Sequence, residues 1–289
     1  APVLDTVTTT DTFLDDLNEA VKVLPSLARV RFEVGLRPDA YKWIDKKHAD
    51  GKVHEPATLA AFLAARKRFP HIKTIYDIGA LFGYFLLWAG SLWEEAQVTA
   101  FEMHPGAIPS LCHNVWPGTR VVHAAISDRT EAGVLVWLSA FNIYEKPQAG
   151  WQDLPNIPGA MKQRGDANAG RGYARTDFVT LDDYCAATGD KPSLIKIDVE
   201  AYQTKAVRGA LGIIAEHRPI LIVELHDTEK TSRLGTSNCE TVQPILELGY
   251  NGYWSANHRA PDASFEAVDR MGPEHERLGI MVLVPEARV

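Results

Sequence analysis

Residues 77–83 read Asp77-Ile78-Gly79-Ala80-Leu81-Phe82-Gly83, after the apolar run Ile72–Ile78 and before the helical pattern Tyr84–Trp93. Glycines at such a strand-to-helix turn let backbone approach a ligand that a β-carbon would exclude. The spacing here is G-x-x-x-G, at Gly79 and Gly83. The dinucleotide fingerprint G-x-G-x-x-G is therefore not met.

Outward from this turn, short strand-like runs alternate with helical segments. Ile72–Ile78, Gln97–Glu102, Thr119–Ala125, Ser193–Asp198 and Pro219–His226 read as buried strands, and Tyr84–Trp93, Ala107–Val115 and Tyr202–Ala215 as helices. That alternation predicts an α/β fold, a doubly wound and mostly parallel central sheet. Thr130–Leu138 reads as a further strand, and Tyr250–Ser255 with Gly279–Val284 as an antiparallel hairpin on the sheet edge. Residues 1–70 read as an N-terminal helical extension. Asp11 caps a run with Phe13, Leu17 and Val21 at helical spacing, and Pro25 ends it. Pro56 opens a second helix whose basic end, Arg66-Lys67-Arg68, suits the helix dipole. Residues 71–289 form the sheet domain. Within it, 139–175 is rich in Gly, Pro, Asn and Gln and reads as a long loop, a length uncommon unless functional. It is the expected substrate loop.

The chain has 289 residues, 46% hydrophobic and 23% charged, enough for one large domain or two small ones. A formal charge of −7 argues against a general nucleic-acid binder, which needs a basic face. Cys112, Cys185 and Cys239 are scattered and give neither a disulfide framework nor zinc-ligand spacing. The opening APVLDTVTTTDTFLDDLNEA has no basic start and no apolar core, so no secretory leader is expected. The most apolar stretch, Ile78–Trp93, falls short of the ~20 residues of a membrane span. A cytoplasmic location is the expectation; oligomeric state is not legible.

Asp77 is an odd neighbour for a pyrophosphate and a sensible one for a ligand carrying an ammonium group and a sulfonium. An acid two residues before the first glycine of G-x-x-x-G resembles the S-adenosylmethionine loop of class I methyltransferases. Glu102 ends the next strand, about 20 residues on, where a carboxylate accepts from both ribose hydroxyls. Ala125-Ile126-Ser127-Asp128 follows the third strand, where an adenine would lie. Singly, Glu102 reads as a strand-end surface acid and Asp128 as a turn cap. Together, at successive strand ends, they point to a cofactor site of Asp77, Gly79, Ala80, Gly83, Glu102, Ala125, Asp128 and Asp198.

Ser193–Gly209 reads SLIKIDVEAYQTKAVRG, which resembles the K-I-D-V-E-G-x-E signature of the FkbM family of methyltransferases, with its late glycine. Matching pieces are His54-Glu55-Pro56, DIGALFGYF, Phe101-Glu102, AISD at 125–128, TLDDY at 180–184 and RPILIVELH at 218–226. The resemblance covers roughly residues 54–226. It implies a Rossmann-like class I methyltransferase sandwich, S-adenosylmethionine as cofactor, and O-methylation of a natural-product or glycolipid hydroxyl. Ala201 and Gln203 depart from the pattern, where Gly and Glu are usual.

Methyl transfer from a sulfonium is an in-line displacement, so positioning the acceptor dominates. A hydroxyl also has to lose its proton to a base or a metal-bound group. Asp198, Glu200 and His226 are the candidate catalytic residues at strand ends; His226 also reads as a strand-end histidine bonded to backbone. Asp198, His226 and Asp227 are candidate ligands for Mg²⁺. Glu55, Trp137 and Tyr144 are the candidate acceptor contacts, the aromatics suiting a sugar face or an apolar acceptor, with ordinary packing the commoner role of such rings. The expected partner is a small-molecule or glycan acceptor. N-methylation of a peptide or protein amide and a non-catalytic cofactor-binding subunit stay open, and a Rossmann oxidoreductase is disfavoured by the glycine spacing.

Overall fold

The computed structural model describes residues 12–24, 52–139, 142–144 and 172–286. In chain order the elements are α1 Thr12–Val23, α2 Pro56–Arg68, β1 Thr74–Ile78, α3 Tyr84–Leu92, β2 Gln97–Phe101, α4 Ile108–Asn114 and β3 Arg120–Val122. Then come β4 Ala125–Ile126, β5 Glu131–Ser139, β6 Asn142–Tyr144, β7 Gly172–Val179, α5 Leu181–Thr188 and β8 Leu194–Ile197. The chain continues through α6 Gln203–Arg208, α7 Leu211–His217, β9 Ile220–Leu225, α8 Thr228–Arg233, α9 Asn238–Glu247, β10 Tyr250–Ser255, β11 Glu266–Val268 and β12 Gly279–Pro285.

The main sheet has eight strands in the order β11-β10-β12-β9-β8-β1-β2-β3. β3, β2, β1, β8 and β9 are parallel, and β12, β10 and β11 follow in antiparallel pairs. Both faces are covered, which is why the central strands read as continuous apolar runs. Alternation is still visible in where each side chain goes. Ile75, Leu194, Ile220 and Ile222 enter one core with α1, α2 and α3. Their neighbours Tyr76, Ile195, Leu221 and Val223 enter the other, with α5, α6, α7 and α9. This is the doubly wound α/β architecture that the alternation of runs predicts.

The structure corrects or refines four local readings. The run Thr119–Ala125 divides between β3 in the main sheet and β4 in a second sheet of order β4-β7-β5-β6. The further strand at Thr130–Leu138 is β5, and it too belongs to this second sheet. The C-terminal pair is antiparallel, but β12 lies between β10 and β9 and the edge is taken by β11. The helix at Tyr202–Ala215 is two helices broken at Gly209-Ala210. The described ends of the expected loop 139–175 are strand, in β5, β6 and β7; residues 145–171 lie outside the described residues, as do Asp11 and Pro25.

The corner between α6 and α7 is tightly packed at Gly209. A β-carbon at Gly209 would stand 1.9 Å from the Ser127 carbonyl oxygen, a backbone atom that cannot swing aside. The late glycine therefore lets the loop after β4 pack onto the α6–α7 corner. Gly209→Ala is expected to destabilise the chain by about 3 kcal/mol, measured as a lowered urea midpoint with unchanged slope. A change under about 0.5 kcal/mol would show that the corner yields freely.

Candidate active site

β1 delivers its turn against the end of β2. The Gly79 and Ala80 N–H groups donate to the Phe101 carbonyl at 2.9 and 3.1 Å. Gly79 has φ +79°, and a β-carbon there would lie 1.8 Å from the Asp198 carbonyl oxygen. The turn after β1 and the end of β8 thus touch through backbone, and only glycine allows it. Glu102, buried at the end of β2, accepts from Leu81 N–H at 2.7 Å and from His104 N–H at 2.6 Å. A carboxylate has about four acceptor positions, so capacity remains for a ligand.

A cavity of about 290 Å³ opens at the carboxyl ends of β1, β2 and β8. Gly79, Leu81, Glu102, Ala124 and Ala125 line one part of it, and Glu55, Asp198, Glu200, Tyr202, Glu224 and Arg259 another. Of the expected site residues, Gly79, Glu102, Ala125, Asp198, Glu200 and Glu55 therefore stand together at its wall. Asp77, Ala80, Gly83 and Asp128 are not part of the wall. Asp128 is exposed and accepts from Ser127 Oγ at 3.2 Å. Trp137 is half-buried in β5 away from the cavity, with Tyr144 opposite it in register; the side chain of Tyr144 lies outside the described residues, as do Phe141 and Trp151.

Beneath the wall, β8 carries Lys196, 3% exposed, with its Nζ 3.2 Å from Asp77 Oδ1, 3.3 Å from Asp198 Oδ2 and 4.5 Å above the Phe85 ring. The ammonium that Asp77 meets is this one. Burial opposes the charge on Lys196, but Asp77, Asp198 and Glu55 hold its pKa above the ordinary value. Asp198 feels burial upward, yet Lys196, a hydrogen bond shared with Glu224 and the charge of His226 hold it well below the carboxylate range. It stays ionised.

Around Asp198 the other acids behave differently. Glu55 is pushed up to about 7, first by burial and then by the Asp198 charge. Glu224, in β9, is raised well above its ordinary value, again by burial first and Asp198 second. Burial also raises Glu200, but His226 and Lys230 outweigh it and leave the carboxyl lowered; Lys230 Nζ lies 2.6 Å from its Oε2. His226 is 1% exposed and lies behind this wall, its Nε2 3.3 Å from Glu200 and 3.5 Å from Glu224. Asp227 is the N-cap of α8, accepting from Lys230 N–H, and like His226 it does not line the cavity. Among the described residues the grouping with metal-ligand spacing is instead Glu55, Glu224 and His258.

Four residues of this constellation were not singled out from sequence: Lys196, Glu224, His258 and Arg259. The first two carried a signal, a charged residue inside an otherwise apolar strand (LIKI and ILIVEL), which must find a buried partner. His258 and Arg259 come from the segment after β10 and carried none.

The departures at 201 and 203 also have local explanations. Glu200 has φ +49° and Ala201 φ +79°, left-handed positions, and at 201 a glycine would be unstrained. Gln203 is fully buried and donates to Asn238 Oδ1 at 3.3 Å, away from the cavity. Ala201→Gly is expected to stabilise the fold by about 0.5–1 kcal/mol, the relief of strain exceeding the extra unfolded-state entropy. A lowered thermal midpoint would contradict that.

Burial sets a pH dependence as well. Glu102 is pushed up to about 7 by burial, against its backbone donors His104, Leu81 and Met103, from an ordinary 4.5. The folded state then binds more protons than the unfolded one between those values. Stability falls as pH rises through that window and the loss levels off above 7. Glu55 acts in the same direction. Urea midpoints between pH 5 and 8 should decline in the native chain, and decline less in Glu102→Gln, the difference amounting to at most about 3 kcal/mol. Equal declines would place the pH dependence elsewhere.

The chain is similar to several known proteins. Methyltransferase FkbM from Methylobacillus flagellatus KT is 13% identical with a TM-score of 0.41, over 94% of this chain and 61% of that one. The chain thus spans less than two thirds of that relative's length. A TehB-like SAM-dependent methyltransferase from Corynebacterium glutamicum is 11% identical, TM-score 0.43, over 86% and 96% of the two chains. N-methyltransferase NodS from Bradyrhizobium japonicum WM9, solved with S-adenosyl-L-homocysteine, is 11% identical, TM-score 0.39, over 93% and 98%. No curated protein matches. The sequence model of the methyltransferase FkbM domain matches residues 77–252, more than half of the chain and every strand end that lines the cavity, and the chain belongs to the FkbM family of methyltransferases.

Proposed function

We propose that the chain is an S-adenosylmethionine-dependent O-methyltransferase acting on a hydroxyl of a small molecule, natural product or glycan. The observation that carries this reading is the ionised Asp198 at the cavity wall, beside Gly79 and in the same cavity as Glu102. The residues fit the cofactor. Glu102 keeps acceptor capacity for ribose hydroxyls, and the small side chains of Ala124 and Ala125 leave a flat apolar wall for a base. When bound, S-adenosylmethionine supplies a methyl group on a positively charged sulfur.

Asp198 accepts the hydrogen bond of the acceptor hydroxyl and so aims the oxygen lone pair along the line of transfer. Its low basicity is no obstacle, because a hydroxyl becomes strongly acidic as its oxygen gains a methyl carbon. The carboxylate receives that proton as the bond forms. Lys196 keeps Asp198 ionised and fixed, and Glu200, tied to Lys230 and His226, closes the neighbouring wall. His226, buried behind Glu200 and Glu224, acts as a positioning residue in this reading. Magnesium held by Asp198, His226 and Asp227 is not carried into it, since neither His226 nor Asp227 lines the cavity. Among the described residues no helix is long and apolar enough to cross a membrane, and the cysteines are free. A cytoplasmic location belongs to the same proposal.

Calorimetric titration with S-adenosylmethionine and S-adenosylhomocysteine, with NAD as control, tests the cofactor. Saturable binding of the first two alone is expected; none from folded protein would remove the reading. With an authentic acceptor, Asp198→Asn should lower turnover about 100-fold or more while the circular dichroism spectrum is retained. Unchanged turnover would strip Asp198 of its role, and product analysis distinguishes a methylated oxygen from a methylated nitrogen.

A further inference from the structure

Three side chains from distant parts of the chain converge beside the cavity, Glu55 and Glu224 at its wall and His258 buried behind them. Glu55 precedes α2, Glu224 lies in β9, and His258 follows β10; all three are buried. His258 Nε2 is 3.1 Å from Glu224 Oε1 and 3.9 Å from Glu55 Oε1, and one ligand atom from each lies within 4.8 Å of the others. Two ligand atoms bound to one ion at about 2.0–2.2 Å are roughly 3–3.5 Å apart, so His258 and Glu224 already stand at that spacing and Glu55 would have to draw closer to complete a coordination triangle.

We propose that Glu55, Glu224 and His258 form a binding site for a divalent first-row transition cation at the cavity wall. Two carboxylates with one imidazole suit Mn²⁺ or Zn²⁺, whereas Mg²⁺ and Ca²⁺ favour oxygen alone. Arg259 shows that the site attracts positive charge. Its guanidinium lies 2.9 Å from Glu224 Oε1 and 3.4 Å from Glu55 Oε1, the same two oxygens that would ligate the ion. Its side chain is half exposed and is free to withdraw toward solvent, so cation and guanidinium compete for one pair of carboxylates. A cation there faces the cavity, where it would bind and acidify an oxygen of the acceptor.

The site rests on the cavity geometry and not on the O-methylation reading: cation binding fails or succeeds independently of cofactor titration. The test uses the full chain stripped with chelator and titrated calorimetrically with Mn²⁺ and with Zn²⁺, the bound Mn²⁺ counted by electron paramagnetic resonance. One saturable site per chain is expected. Glu55→Gln and His258→Ala should each weaken it more than tenfold, and Arg259→Ala should tighten it at least threefold, each variant checked by circular dichroism. An arginine that merely neutralises the carboxylates, with no cation site, gives no saturable binding in the native chain, and that overturns the proposal. So does binding seen only after Arg259 is removed, or binding untouched by both Glu55→Gln and His258→Ala. Should His258→Ala fail to fold, the opposed shifts of Glu55→Gln and Arg259→Ala decide alone.

Discussion

A lysine ammonium buried under a parallel sheet needs counter-charges, and Lys196 finds two, from the ends of neighbouring strands. Asp77 sits in β1 and Asp198 immediately follows β8, so the ion triplet spans the seam where the chain crosses from one half of the sheet to the other. Removing either carboxylate would leave charge stranded in a dry interior, which costs far more than the pair contributes. The Phe85 ring below the ammonium adds a further favourable face. The strand ends are thereby held in one register, and the cavity has its floor.

From that floor the rest of the site follows by contact. Because β8 approaches β1 through backbone, position 79 has to be glycine, and the Asp198 carbonyl occupies the space a β-carbon would take. Immediately after Asp198 the chain turns through two left-handed residues, Glu200 and Ala201, before α6 begins. That turn aims Glu200 toward Lys230 and the cavity. Strain of this kind persists where surrounding contacts over-determine it. Here those contacts are the Tyr202 N–H on the Val199 carbonyl and the Tyr202 hydroxyl on Ser127.

The doubly wound sheet was legible because burial on both faces leaves long apolar runs, and the β1 turn was legible because its glycines are obligatory. What escaped was set by distance. Thr119–Ala125 reads as one run, yet its two ends pair with different sheets, a choice made by β2 and β7 far along the chain. Asp77 reads as a ligand contact, and its partner Lys196, more than a hundred residues on, is not visible from its own surroundings in the sequence. His258 and Arg259 sit in a polar connection with no periodicity, and only the topology carries them to Glu55 and Glu224. Strand-end acids were thus readable one by one, while the pairing among them was not.

That pairing also weighs on whether the unusual residues at 201 and 203 mark a chain that has lost its chemistry. A scaffold released from catalysis has no reason to keep several acids crowded in one buried cavity, since each raises the cost of ionising its neighbours. Glu55 and Glu224 are both raised partly by the charge of Asp198, which is a standing cost to the fold. Gln203, by contrast, is a neutral side chain at a fully buried position away from the cavity, its amide nitrogen donating to Asn238. Buried acids are thus concentrated at the site, where their electrostatic tension is retained.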